Sequence, residues 1–502
     1  MGRLGCRDVP IERPAQDASP DVRVPSDGDL VGPAVRALTA HAAVALELGR
    51  LFAAAGQELA LVGGPVRDAL LGRLVDDLDL TTDARPERVL EIVHGWADAV
   101  WDVGIAFGTV GVRKGEHKIE ITTYRAEAYD RDSRKPDVSY GESLADDLAR
   151  RDFTVNALAV RLPSLEFVDL HGGVADLRAA VLRTPGTPEQ SFSDDPLRMM
   201  RAARFASTLG FAVAPEVVAA MTAMCGRLAI VSAERVRDEL VKLVLGEHPR
   251  AGLALLVETG LGQLVLPELP ALALELDEHH RHKDVYEHTL TVLEQAIALE
   301  STHEPVTGPD FVLRFAALMH DVGKPRTRRF EGDGRVSFHH HEVVGARLTR
   351  KRMQALRFAN ETIDEVSRLV ELHLRFHGYG DGEWTDSAVR RYVRDAGPQL
   401  ARLHKLTRAD STTRNRRKAE RLARTYDELE ERIARLSEQE ELAALRPALD
   451  GNRIMEILGI PPRRDVGAAY SYLLELRLDR GPMSEAEAET ALRAWWSERL
   501  AT

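Results

Sequence analysis

From Leu61 to Leu80 the sequence reads LVGGPVRDALLGRLVDDLDL, ending with two aspartates one residue apart, Asp77 and Asp79. Side chains two apart on a β-strand share a face, so this spacing brings the two carboxylates together. Like charges on one face call for a cation between them. A hard divalent ion such as Mg²⁺ suits carboxylate oxygens, with phosphate oxygens and water filling its octahedron. Upstream, Gly63 and Gly64 let backbone amides approach a phosphate closely. Arg67 offers a planar fork of donors that matches phosphate geometry. Together these parts predict metal-assisted attack on a nucleoside triphosphate, with two ions clamping the entering and leaving oxygens. A D-x-D pair alone also describes a solvated acidic strand end; the G-G-x-x-R-D segment before it makes the pattern specific. Glu120, in the run IEITTY, is either a third carboxylate for the metal or the attacking hydroxyl, or an exposed strand glutamate.

Two further groups of residues accompany the first. Arg151 and Asp152, in RRDFTVNALA, can hold a ribose hydroxyl and a phosphate, or pair with each other structurally. Asp195, Arg198 and Arg201 lie three apart in DDPLRMMRAARFA, and Arg204 continues the row; on a helix they share one face. That face is either a solvated salt-bridge stripe or a set of acceptors and donors able to read the Watson–Crick edge of a base.

The second half carries His288 in DVYEHTL, His320, Asp321 and Lys324 in MHDVGKP, His341 in FHHHEVVGA and Asp410 in LTRADST. Such residues supply imidazole nitrogens and carboxylates to a divalent transition metal. With 17 histidines in the chain, a scaffold that has lost its metal stays open as the alternative. His339, His340, His373 and His377 are read as surface or supporting residues.

The elements that must position these groups follow from pattern and punctuation. Residues 34–56 have helical periodicity and stop at Gly56; strand-like runs follow at 59–62, 76–81, 107–113, 117–124, 157–161 and 165–170, with a hairpin expected around KGE. From 194 onward the pattern is helical, with turns at Gly226, Pro249, Gly262 and Pro267 and later breaks at GNR and IPPRRD. The expected fold is α+β: a small mixed-sheet head followed by all-helical modules. The expected divisions are a disordered tail at 1–33, a head at 34–188, a helical neck at 189–270, a histidine-rich helical domain at 271–420 and a helical tail region at 421–502.

A chain of 502 residues, 44% of them hydrophobic, has room for several cores. A formal charge of −12 argues against general electrostatic binding to nucleic acid. It leaves local basic runs, RTRR at 326–329, RLTRKR at 347–352 and RNRRKAERLAR at 414–424, as places for RNA phosphates. Two cysteines, Cys6 and Cys225, and no apolar run of membrane length fit a cytoplasmic protein without membrane partners.

The opening segment resembles the head motif of the class II tRNA nucleotidyltransferases and bacterial poly(A) polymerases. RRDFTVNALA resembles their ribose-reading motif, DDPLRMMRAARFA their nucleotide-selecting helix, and SAERVRDEL at 232–240 a later neck motif. DLHGGVADL at 169–177 sits where the family has a hinge. Asp194 stands where the family usually has Glu. The resemblance implies Mg²⁺ on Asp77 and Asp79, and triphosphate contacts from Gly63, Gly64 and Arg67. It implies ribose contacts from Arg151 and Asp152, and base reading of CTP or ATP by Asp195 with Arg198, Arg201 and Arg204 nearby. The histidine-rich half resembles the HD phosphohydrolase domain, in which His288, His320, Asp321 and Asp410 would ligate a metal. The implied activity is CCA addition to tRNA 3′ ends with release of pyrophosphate. Poly(A) synthesis, partial addition of CC or A, and an HD phosphohydrolase with a nucleotide-sensing head are the rivals. Oligomeric state stays open.

Overall fold

The computed structural model describes residues 30–101, 108–124, 141, 143–274, 285–330, 332, 336–376, 384–412, 415–440 and 446–501. Most of the expected tail (1–29) and His377 lie outside the described residues. The chain divides into two compact units, one up to Gly186 and one from Thr187.

The first unit begins with α1 (Val31–His41) and α2 (Ala43–Ala54). The periodicity of 34–56 predicts one helix, but Ala42 leaves the helical region at φ −104°, ψ 53° and splits it. The helix also starts before Pro33, which sits in its first turn, where a missing N–H is harmless. The strands are β1 (Leu59–Val62), β2 (Asp77–Thr82), β3 (Ala99–Trp101), β4 (Thr109–Lys114), β5 (His117–Thr123), β6 (Leu158–Leu162) and β7 (Phe167–Asp169). Helices α3 (Gly64–Leu70), α4 (Pro86–Val93), α5 (Leu144–Ala149) and α6 (Gly173–Ala179) join them. The sheet order is β3-β4-β5-β2-β1-β6-β7. Only β2 and β5 pair in parallel; the other neighbours are antiparallel. Strand β3 is not among the strands expected from the sequence.

Alternation separates the two faces of the sheet. Leu78 and Leu80 of β2 align with Ile119 and Ile121 of β5, and these with Val112 and Val110 of β4. All six are buried, and α2 and α4 pack on this sheet. The opposite face carries Asp79, Glu120 and Gly111 in register. Further along the sheet Ala60, Val62 and Ala159 pack with Leu144 and Leu148 of α5.

The second unit holds α7 (Pro188–Asp194), α8 (Leu197–Leu209), α9 (Pro215–Met224), α10 (Ala233–Val244), α11 (Pro249–Glu258) and α12 (Leu261–Val265). It continues with α13 (Val285–Thr302), α14 (Phe311–Met319), α15 (Lys324–Thr327), α16 (His341–Ala355), α17 (Asn360–Leu372), α18 (Asp386–Ala396) and α19 (Leu400–Asp410). It ends with α20 (Arg416–Glu440), α21 (Gly451–Leu458), α22 (Arg464–Arg480) and α23 (Glu485–Ala501). A two-residue hairpin pairs Arg329–Phe330 with Val336–Ser337. Asp450 caps α21 through the Arg453 amide, and the residues IPPR at 460–463 separate it from α22. Arg314 of α14 ties three elements together. Its fork grips Glu300 of α13 at 2.7 and 2.8 Å, and Nη1 donates to the carbonyls of Val244, the last residue of α10, and Gly246 just after it. Among the described residues no single helix is long and apolar enough to cross a membrane.

Candidate active sites

Asp77 and Asp79 are both exposed on β2, whereas Leu78 between them is buried. The parallel register puts Glu120 beside Asp79 and Lys118 beside Asp77. Three carboxylates therefore share one face. A set of hard oxygen donors on a rigid sheet fits a divalent cation.

Strand β1 runs out into Gly63, whose φ of 72° and ψ of −130° belong to glycine. A Cβ there would stand 2.7 Å from Arg151 Nη1, so the bare backbone lets this guanidinium lie against the turn. Arg151 is held from the other side by Asp147 at 3.2 Å. Arg67 is placed differently from an open phosphate fork. It is buried; Nε and Nη2 donate to Asp68 at 2.9 Å, and Nη1 donates to Asn156 Oδ1 at 2.6 Å. Asn156 Nδ2 in turn donates to Asp152 Oδ1 at 2.9 Å, which also accepts the Phe153 amide. Arg67, Asn156 and Asp152 thus form one chain that braces the glycine turn against the start of β6. Asn156 was missed as a site residue. Its only sequence signal is its place four residues after Asp152 in RRDFTVN.

Asp195 is not on the helix with its arginines. It has extended φ/ψ of −143° and 103° between α7 and α8. Pro196 follows it, and a proline pushes the preceding residue out of the helical region. From there Asp195 Oδ1 accepts the Leu197 amide at 3.0 Å, and Oδ2 pairs with Arg235 of α10 at 3.1 Å. Arg235, within SAERVRDEL, is a second residue that sequence reasoning did not single out. Arg198, Arg201 and Arg204 are half-buried on one face of α8. Arg198 donates to Ser191 Oγ at 2.9 Å. Arg204 is paired with Glu239 of α10 at 3.2 Å and lies 4.1 Å over the Phe205 ring. Asp194 accepts Gln190 Nε2 at 2.6 Å.

The histidine-rich residues converge. His288 Nε2 lies 3.0 Å from Asp410 and 3.6 Å from Asp321; His320 Nε2 lies 3.2 Å from Asp321 and 3.5 Å from Asp410. Each imidazole is oriented through its other nitrogen. Nδ1 of His320 bonds the Ala317 carbonyl at 2.8 Å, and Nδ1 of His288 meets Thr412 Oγ1 at 3.1 Å. The Ala317 carbonyl can only accept, so it fixes the His320 ring with Nδ1 protonated and Nε2 inward. Burial would lower the His320 pKa, but the Asp321 and Asp410 carboxylates outweigh it and hold the ring up to about 10. Burial alone would likewise raise both aspartates, yet the facing cations hold each well below the usual carboxylate range. His341 joins this pocket, with Nε2 3.3 Å from Asp321. So does His373, which is buried rather than on the surface, its ring centroid 5.3 Å from those of His320 and His341. Burial first, and then the His320 charge, push His373 down to about 3. His339 and His340 are exposed.

Known families cover this arrangement in order: "Poly A polymerase head domain" over residues 59–183, "Probable RNA and SrmB- binding site of polymerase A" over 210–272 and "HD domain" over 285–415. An A-adding tRNA nucleotidyltransferase of Deinococcus radiodurans is 34% identical over 449 residues, covering 88% of this chain and 96% of the relative. The chain belongs to the class II CCA-adding enzyme and poly(A) polymerase family. A CCA-adding enzyme of Levilactobacillus brevis is 45% identical over 210 residues, 42% of this chain and 52% of the relative. Against such CCA-adding relatives this family member thus matches about half of their length. The Bacillus stearothermophilus CCA-adding enzyme in complex with CTP has the same fold, with a TM-score of 0.64 and 25% identity over 91% of this chain and 98% of that one.

Proposed function

We propose that this family member adds CCA to tRNA 3′ ends from CTP and ATP in the cytoplasm. The observation that carries the reading is the parallel β2–β5 register, which sets Asp77, Asp79 and Glu120 on one exposed face. Asp77 and Asp79 hold Mg²⁺, which when bound supplies Lewis-acid stabilisation of phosphoryl oxygens. The tRNA 3′-hydroxyl attacks the α-phosphate, the new P–O bond forms, and pyrophosphate leaves. Gly64 presents its backbone amide to the triphosphate, while the Gly63 amide donates to the Leu158 carbonyl at 3.2 Å and fixes the turn, and Arg151 supplies a cation against that turn for phosphate and ribose. Asp152 and Arg67 keep the turn in place through Asn156. Asp195 and Arg198 read the base edge, with Arg235 fixing the aspartate; Arg201 faces the same side, and Arg204 braces α8 on α10. The HD pocket, loaded with a divalent transition metal, hydrolyses phosphates such as 2′,3′-cyclic or 3′-phosphates on damaged tRNA ends.

A second reading, addition of the terminal A alone, has one finding in its favour: the relative matched along 96% of its length is named an A-adding tRNA nucleotidyltransferase. One experiment separates the two. Transcribed tRNA lacking its last three nucleotides, and the same tRNA ending in CC, are incubated with protein, Mg²⁺, CTP and ATP and resolved at single-nucleotide resolution. Growth by C, C and A on the first substrate supports CCA addition. Extension of the CC-ending substrate alone makes the enzyme A-adding, and a ladder of adenosines makes it a poly(A) polymerase. Asp77→Ala abolishes whichever product is seen.

A further inference from the structure

We propose that Trp101, with Arg113 and Lys118, forms the seat for the 3′-terminal nucleotide of the RNA. The inference deepens the nucleotidyltransferase reading of the head and rests on it. Sheet topology sets the direction of approach. Strand β2, with Asp77 and Asp79, lies between β1 and β5. The glycine turn and Arg151, which serve the triphosphate, lie on the β1 and β6 side. In phosphoryl transfer the entering and leaving oxygens are roughly in line. Pyrophosphate departs toward the glycine turn, so the attacking hydroxyl comes from the side of β5, β4 and β3.

The register shows what that side offers. Glu120 pairs with Asp79, Gly111 with Glu120 and Trp101 with Gly111, one row across four strands. Alternation puts Asp79, Glu120 and Gly111 on the face opposite the buried Leu78, Ile119 and Val112. Gly111 has no side chain to fill its place, and the Trp101 indole occupies it. A Cβ built on Gly111 would fall within the ring, closest to Nε1, Cε2 and Cδ1. Three adjoining ring atoms over one point lay the indole across the bare backbone, on the carboxylate face. Gly111 is two strands from Asp79, about 10 Å at the usual strand spacing of ~4.8 Å, within the reach of a single nucleotide. The neighbouring row pairs Asp77 with Lys118 and Lys118 with Arg113. Both cations are exposed.

These side chains suit the end of an RNA strand. Phosphates nearing Asp77, Asp79 and Glu120 are repelled, and Lys118 and Arg113 offset that repulsion from the same face. Contacts of this kind position a nucleic acid without reading its sequence. Trp101 is half-buried; with one side of the ring on Gly111, the other is left for a base. Stacking on an aromatic ring tolerates every base, because every base has a π-face. A seat for a growing end needs that tolerance, since each addition changes the terminal base.

The test follows single-nucleotide incorporation by the full chain on the tRNA terminus that it extends, with KM for RNA and KM for nucleotide measured separately. Trp101→Leu should raise KM for RNA by about 5- to 150-fold and leave KM for CTP and ATP unchanged. Trp101→Phe should restore most of the loss. A tRNA whose last nucleotide carries no base should show the same rise with the unaltered chain, and no further rise with Trp101→Leu. Arg113→Gln with Lys118→Gln should raise KM for every tRNA terminus alike and flatten its dependence on salt. Circular dichroism melts identify a Trp101→Leu chain that fails to fold; Trp101→Phe and the tRNA without a terminal base then carry the test. A terminus without a base that is extended as well as an intact one overturns the seat and leaves the nucleotidyltransferase reading standing. So does a rise confined to KM for nucleotide. An unaltered chain that extends no RNA overturns both.

Discussion

The contact between Gly63 and Arg151 can be tested against an internal control. Gly63→Ala places a methyl group 2.7 Å from Arg151 Nη1 and forces an L-residue to hold φ at 72° and ψ at −130°. Backbone strain of this kind costs about 1–3 kcal/mol. The clash itself costs little stability, because its partner is the far end of a flexible side chain that can swing away. Its effect falls on function: the guanidinium leaves the glycine turn and loosens from Asp147. Loss of a contact to a charged group is worth about 1.5–3 kcal/mol, which is roughly a 10- to 150-fold fall in kcat/KM for nucleotide addition. Gly72 has nearly the same φ, 75°, with nothing within 4 Å of its added Cβ. Gly72→Ala should therefore lose stability of about 1 kcal/mol and keep its kcat/KM. Single-nucleotide incorporation kinetics and thermal melts of the two variants make the comparison. Equal kcat/KM for the two would refute the argument that Arg151 acts on the nucleotide from this turn.

Three other outcomes are expected. Glu120→Gln removes the carboxylate aligned with Asp79 and should raise the Mg²⁺ concentration for half-maximal incorporation by about tenfold; an unchanged titration makes Glu120 a bystander. Arg314→Ala strands Glu300 and two carbonyls in the interior. It should cost about 3–5 kcal/mol in urea melts, whereas a loss under 1 kcal/mol would show that water replaces the fork. His404 is held down to about 4 from 6.5, chiefly by burial, so below pH 6.5 the unfolded chain takes up a proton that the folded chain refuses. Its contribution is intact above pH 6.5 and is lost as pH falls toward 4, by about 2 kcal/mol at pH 5. His404→Phe should show a correspondingly shallower decline between pH 7 and 5, and parallel declines would remove His404 as the cause.

Local spacing was readable wherever one element carries the chemistry. The D-x-D pair needs only strand alternation, and the stripe of Arg198, Arg201 and Arg204 needs only helical periodicity; both faces are as the periods require. Breaks inside elements were harder. The α1–α2 split at Ala42 has no Gly or Pro to announce it. Asp195 leaves the helix because of Pro196, a signal that was present and was overridden by the three-residue spacing. His373 stands between Leu372 and Leu374 in sequence, so its place in the pocket follows only from the packing of α14, α16 and α17.

Burial decides what a motif arginine does, and burial is a tertiary property. Arg67 and Arg151 both lie in runs that match phosphate-binding patterns. The interior claims the first: its fork meets Asp68 and, 89 residues away in sequence, Asn156. Removing a guanidinium from water is costly unless several acceptors meet it. Once they do, the same acceptors hold it against outside ligands. Arg67 is therefore better suited to stiffening the turn than to following a triphosphate through a catalytic cycle. Arg151 keeps about a quarter of its side chain in solvent, with a single-oxygen contact to Asp147. It can exchange partners at low cost. The family motif names both residues alike, and the difference between them is set by the acceptors each meets: Asp68 and Asn156 around Arg67, Asp147 alone beside the more open Arg151.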